Sequence, residues 1–253
     1  MVRVPTSQLS SRRARREDVT ARILQIGRAH LAEHGAAGLS LRAVTRDLGM
    51  VSSAVYRYVA NRDELLTLLL VDAYTELGDR VDAALSATQG GLEPRFLALS
   101  RAVRRWALAE PARYALLYGS PVPGYEAPGE QTTEPGTRVV RAILALIEDG
   151  VAAGEITPGP TTVPPPRAVA ADLRRVRDEM GLALDEAVLA RGVFGWSALF
   201  GAVSLEVFGQ HGAGTFVEEE ALFEHQMRLL VATLKGLGVV RSVTHRGSSD
   251  QPG

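Results

Sequence analysis

Residues 39–66 read Leu-Ser-Leu-Arg-Ala-Val-Thr-Arg-Asp-Leu-Gly-Met-Val-Ser-Ser-Ala-Val-Tyr-Arg-Tyr-Val-Ala-Asn-Arg-Asp-Glu-Leu-Leu. Leu41, Val44 and Leu48 recur at spacings of three and four, so residues 41–48 predict a short helix with one apolar face. Ser40 stands before it as a cap. Residues 52–59 predict a second helix, with Val55 and Val59 inward and Ser53, Ala54 and Arg57 on the opposite side. Gly49 lies between the two, where a reversal with positive φ would cost any residue that carries a Cβ. A supporting helix, a tight turn and a second helix free to enter a major groove is the layout of a helix-turn-helix. Short side chains at 53 and 54 let the backbone approach base edges, and Arg57 can reach guanine or phosphate. Tyr56 and Tyr58 offer hydroxyls to phosphates, and Tyr56 equally suits a core position. Asn61, with Glu64 three residues on, predicts the capped start of a third helix. Its free amides, beside Arg62, make a phosphate site.

Outward from this segment, Val19, Ile23, Ile26, Ala29 and Leu31 predict a helix over 16–34 that stops at Gly35 and Gly38. Ile23 and Ile26 would meet Leu41, Val44 and Leu48. Residues 1–15 are polar and aperiodic and predict a disordered basic arm. Further helices are expected over about 61–87, 93–110, from Pro111, 137–150, 168–180, 185–208 and 216–237. Residues 119–136 and the five-proline stretch 154–166 predict loops, and 241–253 a disordered tail. No strand pattern or repeat appears, so the expected class is all-α. The division is a helix-turn-helix domain over 16–62 and a helical domain over 63–240.

Charge sharpens this reading. The chain carries a net −1, but residues 1–62 hold 11 arginines against 4 acids, a net of +7, which leaves −8 for the rest. A basic end on an acidic body suits a protein that docks one end on phosphate. The chain has no cysteine, which excludes disulfides and thiolate metal sites. The arginine-rich N-terminus lacks the apolar core of a secretory signal, and no apolar run of about 18 residues is evident, so neither export nor a membrane span is expected and a cytoplasmic location follows. Of five histidines only His30 and His34 share helical spacing, with Glu33 between and no third ligand near. No phosphate loop or nucleophile elbow is present. No metal, no cofactor and no enzymatic activity are expected.

The run Val-Tyr-Arg-Tyr-Val at 55–59, followed by Asn-Arg-Asp-Glu-Leu-Leu at 61–66, resembles the N-terminal domain of the TetR/AcrR family of bacterial transcriptional regulators across residues 17–66. The resemblance implies DNA contacts from Thr45, Ser52, Ser53, Ala54, Tyr56, Arg57, Tyr58 and Arg62, to which the basic Arg42 is added. Met50-Val51 departs from the family, which often has an apolar residue followed by Ser there, so the usual capping hydroxyl is missing. Val59 stands for a frequent Phe, and Arg62 for a frequent Lys. Residues 191–209 resemble a subgroup in which Trp, His-Gly and an apolar-Ser-Leu-Glu run share one helix. Trp196, Gly201, Ser204, Leu205 and Glu206 match, and Phe200 stands at the His position.

The resemblance implies a helical ligand-binding and dimerisation domain. The homodimer would form through helices near 185–208 and 216–237, where Gly192, Gly195, Ala198, Gly201 and Ala202 allow close approach. An effector pocket would draw on Trp106, Tyr114, Tyr118, Trp196 and Phe200, although each such aromatic taken singly is more often core filling. Glu206 could face solvent, pair with an arginine or meet a ligand. The function so implied is a repressor released from a pseudo-palindromic double-stranded DNA operator by a small, mostly apolar molecule. The alternative is a helical small-molecule-binding or interaction module with a degenerate DNA-binding head.

Overall fold

A computed structural model describes residues 6–159 and 163–236. Among these residues the chain forms ten helices and no strand: α1 (Thr6–Gly38), α2 (Leu41–Asp47), α3 (Ser52–Val55), α4 (Arg62–Ser86), α5 (Leu92–Ala109), α6 (Pro111–Tyr118), α7 (Gly129–Ala152), α8 (Arg167–Met180), α9 (Glu186–Val207) and α10 (Glu219–Leu234). The all-α expectation holds.

Several boundaries move, each for a physical reason. The basic arm expected without structure is helical from Thr6, because Leu, Gln, Ala and Arg in this run favour helix and no proline interrupts it. The stop after His34 is kept: Gly35 has φ +66°, a conformation that breaks the helical run before one more turn ends at Gly38. α3 is half its expected length. After Val55 the chain closes through tight turns, in which the Tyr58 and Val59 amides both donate to the Val55 carbonyl. α7 starts eight residues before the expected 137 and carries Pro135 inside it. Read locally, Pro135 and Gly136 are breakers. In the fold Pro135 is buried, and Gly136 lies where a Cβ would come within 3.3 Å of the Tyr74 ring, so packing outweighs the lost hydrogen bond. Residues 1–5 of the arm, 160–162 of the proline-rich stretch and the tail from 237 lie outside the described residues.

Two apolar cores organise the chain. Val19 and Ile23 from α1, Leu41, Val44 and Leu48 around α2, and Val55 and Val59 around α3 form a small head core. That core is completed by Leu65, Leu66 and Leu69, the first two turns of α4, so the head extends past the expected boundary at 62. Further along α4, Ala73, Leu77 and Val81 belong to the large body core with α5, α6, α7, α9 and α10. Full burial of a leucine contributes roughly 1.5–3 kcal/mol, so both ends of α4 are firmly held. α9 is the one described helix long and apolar enough to cross a membrane, although Arg191 and Glu206 interrupt its apolar run. Half of it is buried within the chain, against α5, α7, α8 and α10.

Candidate nucleic-acid interface and the aromatic cluster behind it

Each segment of the head is fixed by a local device. The Ser40 hydroxyl accepts from the Ala43 amide at 3.4 Å and starts α2. His30 on α1 meets the Asp47 carboxylate through Nε2 at 2.7 Å, which ties the end of α2 to α1. The hydrogen bond to His30, then that from Arg46, holds the Asp47 carboxyl below the usual range. Gly49 takes φ +67°, as the reversal requires. The Asn61 side chain accepts from the Glu64 amide at 2.8 Å, and Glu64 in turn accepts from the Ala60 amide at 2.6 Å. This is a capping box reaching one residue further back than usual.

On this frame Arg42, Ser53, Tyr56 and Arg57 are exposed, and Ala54 is half-buried at the same end. The exposure of Tyr56 removes the core alternative for it. Tyr58 packs against the head core, so only part of its ring is free. Arg46, one turn along α2 from Arg42 and absent from the expected contacts, is strongly exposed and pairs with Asp47 at 3.1 Å. Its position among helical residues was legible; its orientation was not. Val51 is 76% exposed, at the family's serine position. The Ser52 side chain lies outside the described residues.

Two of the expected contact residues are engaged within the head. Thr45 is 5% exposed, and its hydroxyl donates to the Leu41 carbonyl at 2.7 Å, so it is spent inside α2. Arg62 donates from Nε to the Leu39 carbonyl at 3.0 Å and from Nη2 to the Ala36 and Ala37 carbonyls at 2.9 and 3.1 Å. It satisfies the carbonyls at the end of α1, because a guanidinium fork reaches several acceptors at once.

In the body, four of the five expected aromatics come together. Tyr118 lies 4.5 Å from Phe200 and 5.2 Å from Tyr114 between ring centroids, and Trp196 lies 6.2 Å from Phe200. Tyr74 and Phe208, which sequence reasoning missed, extend the cluster. Tyr114 is fully buried, and its hydroxyl lies 3.2 Å from the Phe200 carbonyl and 2.8 Å from Ser204 Oγ. Burial pushes the Tyr118 phenol well above its ordinary value. Trp106 does not join them. It sits under Arg113, beside a hollow of about 380 Å³ lined with Glu76, Arg80, Arg105 and Glu110. Glu206 is paired: Arg104 grips it through Nε at 2.8 Å and Nη2 at 2.6 Å. That bond raises the Arg104 pKa. The arginine option for Glu206 is therefore the one realised, with a partner 102 positions away in sequence.

Residues 96–230 match the family described as Tetracyclin repressor-like, C-terminal domain. The HTH-type transcriptional regulators Rv1816 of Mycobacterium tuberculosis and Mb1846 of Mycobacterium bovis are each 50% identical over 230 residues, covering 90% of this chain and 97% of theirs. Among solved structures, the regulatory protein SCO4313 superposes with a TM-score of 0.69 at 35% identity, covering 90% of this chain and 98% of its own. The fatty acid degradation regulator FadR from Bacillus halodurans shares the fold alone, with a TM-score of 0.59 at 14% identity over 83% of this chain and 97% of its own. With a helix-turn-helix head, a matching C-terminal domain and half-identical regulators along nearly its whole length, the chain belongs to the TetR family of transcriptional regulators.

Proposed function

We propose that this regulator is a repressor that holds its operator as a homodimer and lets go when a small, mostly apolar molecule enters the body. Double-stranded DNA is read by the face that carries Arg42, Ser53, Ala54, Tyr56 and Arg57, with Arg46 alongside. Two such heads on a two-fold axis would enter successive major grooves about 34–36 Å apart and read a pseudo-palindromic site. A protein with this task works in the cytoplasm, where the chromosome is.

The observation that carries the reading is the double membership of α4. Its first two turns complete the head core and its later turns the body core. Anything that displaces α4 in the body therefore displaces the head. The aromatic cluster of Tyr114, Tyr118, Trp196 and Phe200 is the apolar lining that such a molecule would part, with the Tyr114 hydroxyl and Ser204 as polar groups to orient it. Dimerisation is supported by an exposed apolar stripe on α9, at Phe194 and Leu205, and by Leu229 on α10. Coupling would be reciprocal, so operator DNA lowers effector affinity by the same factor.

The test is a mobility shift on the DNA immediately upstream of the chain's own gene, at two salt concentrations, followed by a panel of apolar small molecules. The expected result is a specific shift with dimer stoichiometry that weakens steeply with salt and is reversed by at least one compound. Failure there and in selection from a random DNA pool, by folded protein, would favour the interaction-module reading.

A further inference from the structure

Three helices meet at one ion cluster between head and body. Arg28 on α1 donates to Asp72 on α4 from Nε at 2.8 Å and from Nη2 at 2.5 Å. Arg113 on α6 donates from Nη2 to the same Asp72 Oδ2 at 2.9 Å and from Nη1 to Glu76 at 2.6 Å, with Glu110 3.6 Å away. Arg113 is 2% exposed, its guanidinium carbon lies 5.5 Å from the Trp106 ring centroid, and its Nε has no partner among the described residues. Apolar contacts between α1 and α4 are non-directional and tolerate sliding. A guanidinium fork on a carboxylate is directional; here Arg28 forks on Asp72, and Arg113 spans Asp72 and Glu76 with one arm on each. A buried ion pair adds little net stability but fixes geometry and is costly to leave half-made. Asp72 is thus a hinge pin, with the DNA-binding head on one arginine and the body on the other.

We propose that Arg113 is a positioning residue for operator binding: through Asp72 it holds Arg28 and so sets the angle of the head against the body. It touches no DNA itself. The proposal rests on the head binding DNA.

The experiment uses the full chain and a duplex that the wild-type protein selects from a random pool. Affinity is read by fluorescence anisotropy across a salt series, and thermal unfolding is followed separately. Arg113→Met keeps the stem and removes the fork; Arg28→Gln breaks the same cluster from the half-exposed side without touching the body core. Both variants are expected to bind at least tenfold more weakly, the double variant no more weakly than Arg113→Met, and Arg28→Gln to remain folded at the assay temperature. The slope of log affinity against log salt should stay that of the wild type, since no phosphate contact is lost. Wild-type affinity in either variant, losses that add in the double variant, or a slope reduced by about one in Arg28→Gln would each overturn the proposal. Should Arg113→Met fail to fold, the affinity and slope of Arg28→Gln decide alone. A wild-type protein that selects no duplex would instead overturn the DNA-binding reading.

Discussion

Arg57 and Arg62 lie five positions apart and have different work. Arg57 is exposed on the face proposed to meet DNA, whereas Arg62 gives three hydrogen bonds to the carbonyls of Ala36, Ala37 and Leu39. Arg57→Ala should lower operator affinity by about 1–3 kcal/mol, as loss of a base or phosphate contact does, and leave thermal unfolding unchanged. Arg62→Ala should lower stability by roughly 1–3 kcal/mol, since a net bond contributes about 0.5–1.5 kcal/mol and two of the three share one nitrogen. Anisotropy with scanning calorimetry on both variants separates the two roles; an Arg62→Ala protein of wild-type stability would return Arg62 to the DNA face. Nothing in the local sequence shows which of the two arginines turns back onto α1, because the acceptors that decide it lie 23 to 26 positions away.

At the scale of elements, the body helices are clamped by arginine–carboxylate pairs across long sequence gaps. Arg101 on α5 grips Glu224 on α10, with Nη2 at 2.6 Å and a second bond from Nε. The Arg101 hydrogen bond, which outweighs the opposing effect of burial, holds the Glu224 carboxyl below its ordinary value. A folded-state pKa below the unfolded one means this pair stabilises above the unfolded value, near 4.5, and is lost as pH falls through the folded value. Glu224→Gln should therefore unfold at a lower temperature than wild type at pH 7, and the gap should close toward pH 3. A gap that stays constant with pH would show that the loss is one of shape, not charge. The same scale explains α7: Pro135 and Gly136 mark a loop on local grounds, and only burial against α4 makes them helical.

For the whole molecule the question is what covers α9. Gly192 and Gly195 face inward, where a Cβ would come within 3.0 Å of Ile147 and 3.3 Å of Leu234, so these two glycines serve packing inside one chain. Gly201 has nothing within 4 Å of such a Cβ. It lies on the side of α9 that leaves Phe194 and Leu205 exposed, the side a second subunit would cover. With Phe194 and Leu229 each 56% exposed, Phe194→Asp combined with Leu229→Asp should yield monomers in sedimentation velocity and abolish the cooperative shift on a two-fold operator. A double variant that still sediments as a dimer would move the interface elsewhere.

What the sequence by itself determined is what depends on neighbours within a few positions. The all-α class, the Ser40 and Asn61 caps, the reversal at Gly49, and the apolar faces of α1, α2 and α4 all follow from periodicity and local hydrogen bonding. So does the basic head, since charge needs no coordinates. Only the tertiary structure decided which of the arginines and aromatics do what. Arg104 meets Glu206, Arg113 shares Asp72 with Arg28, Arg62 turns back onto α1, and Trp106 parts from Tyr114, Tyr118, Trp196 and Phe200. The bonded pairs among these are 23 to 102 positions apart. Long, flexible side chains choose among acceptors by proximity in space, and burial strengthens whichever pairing the packing of the helices brings within reach.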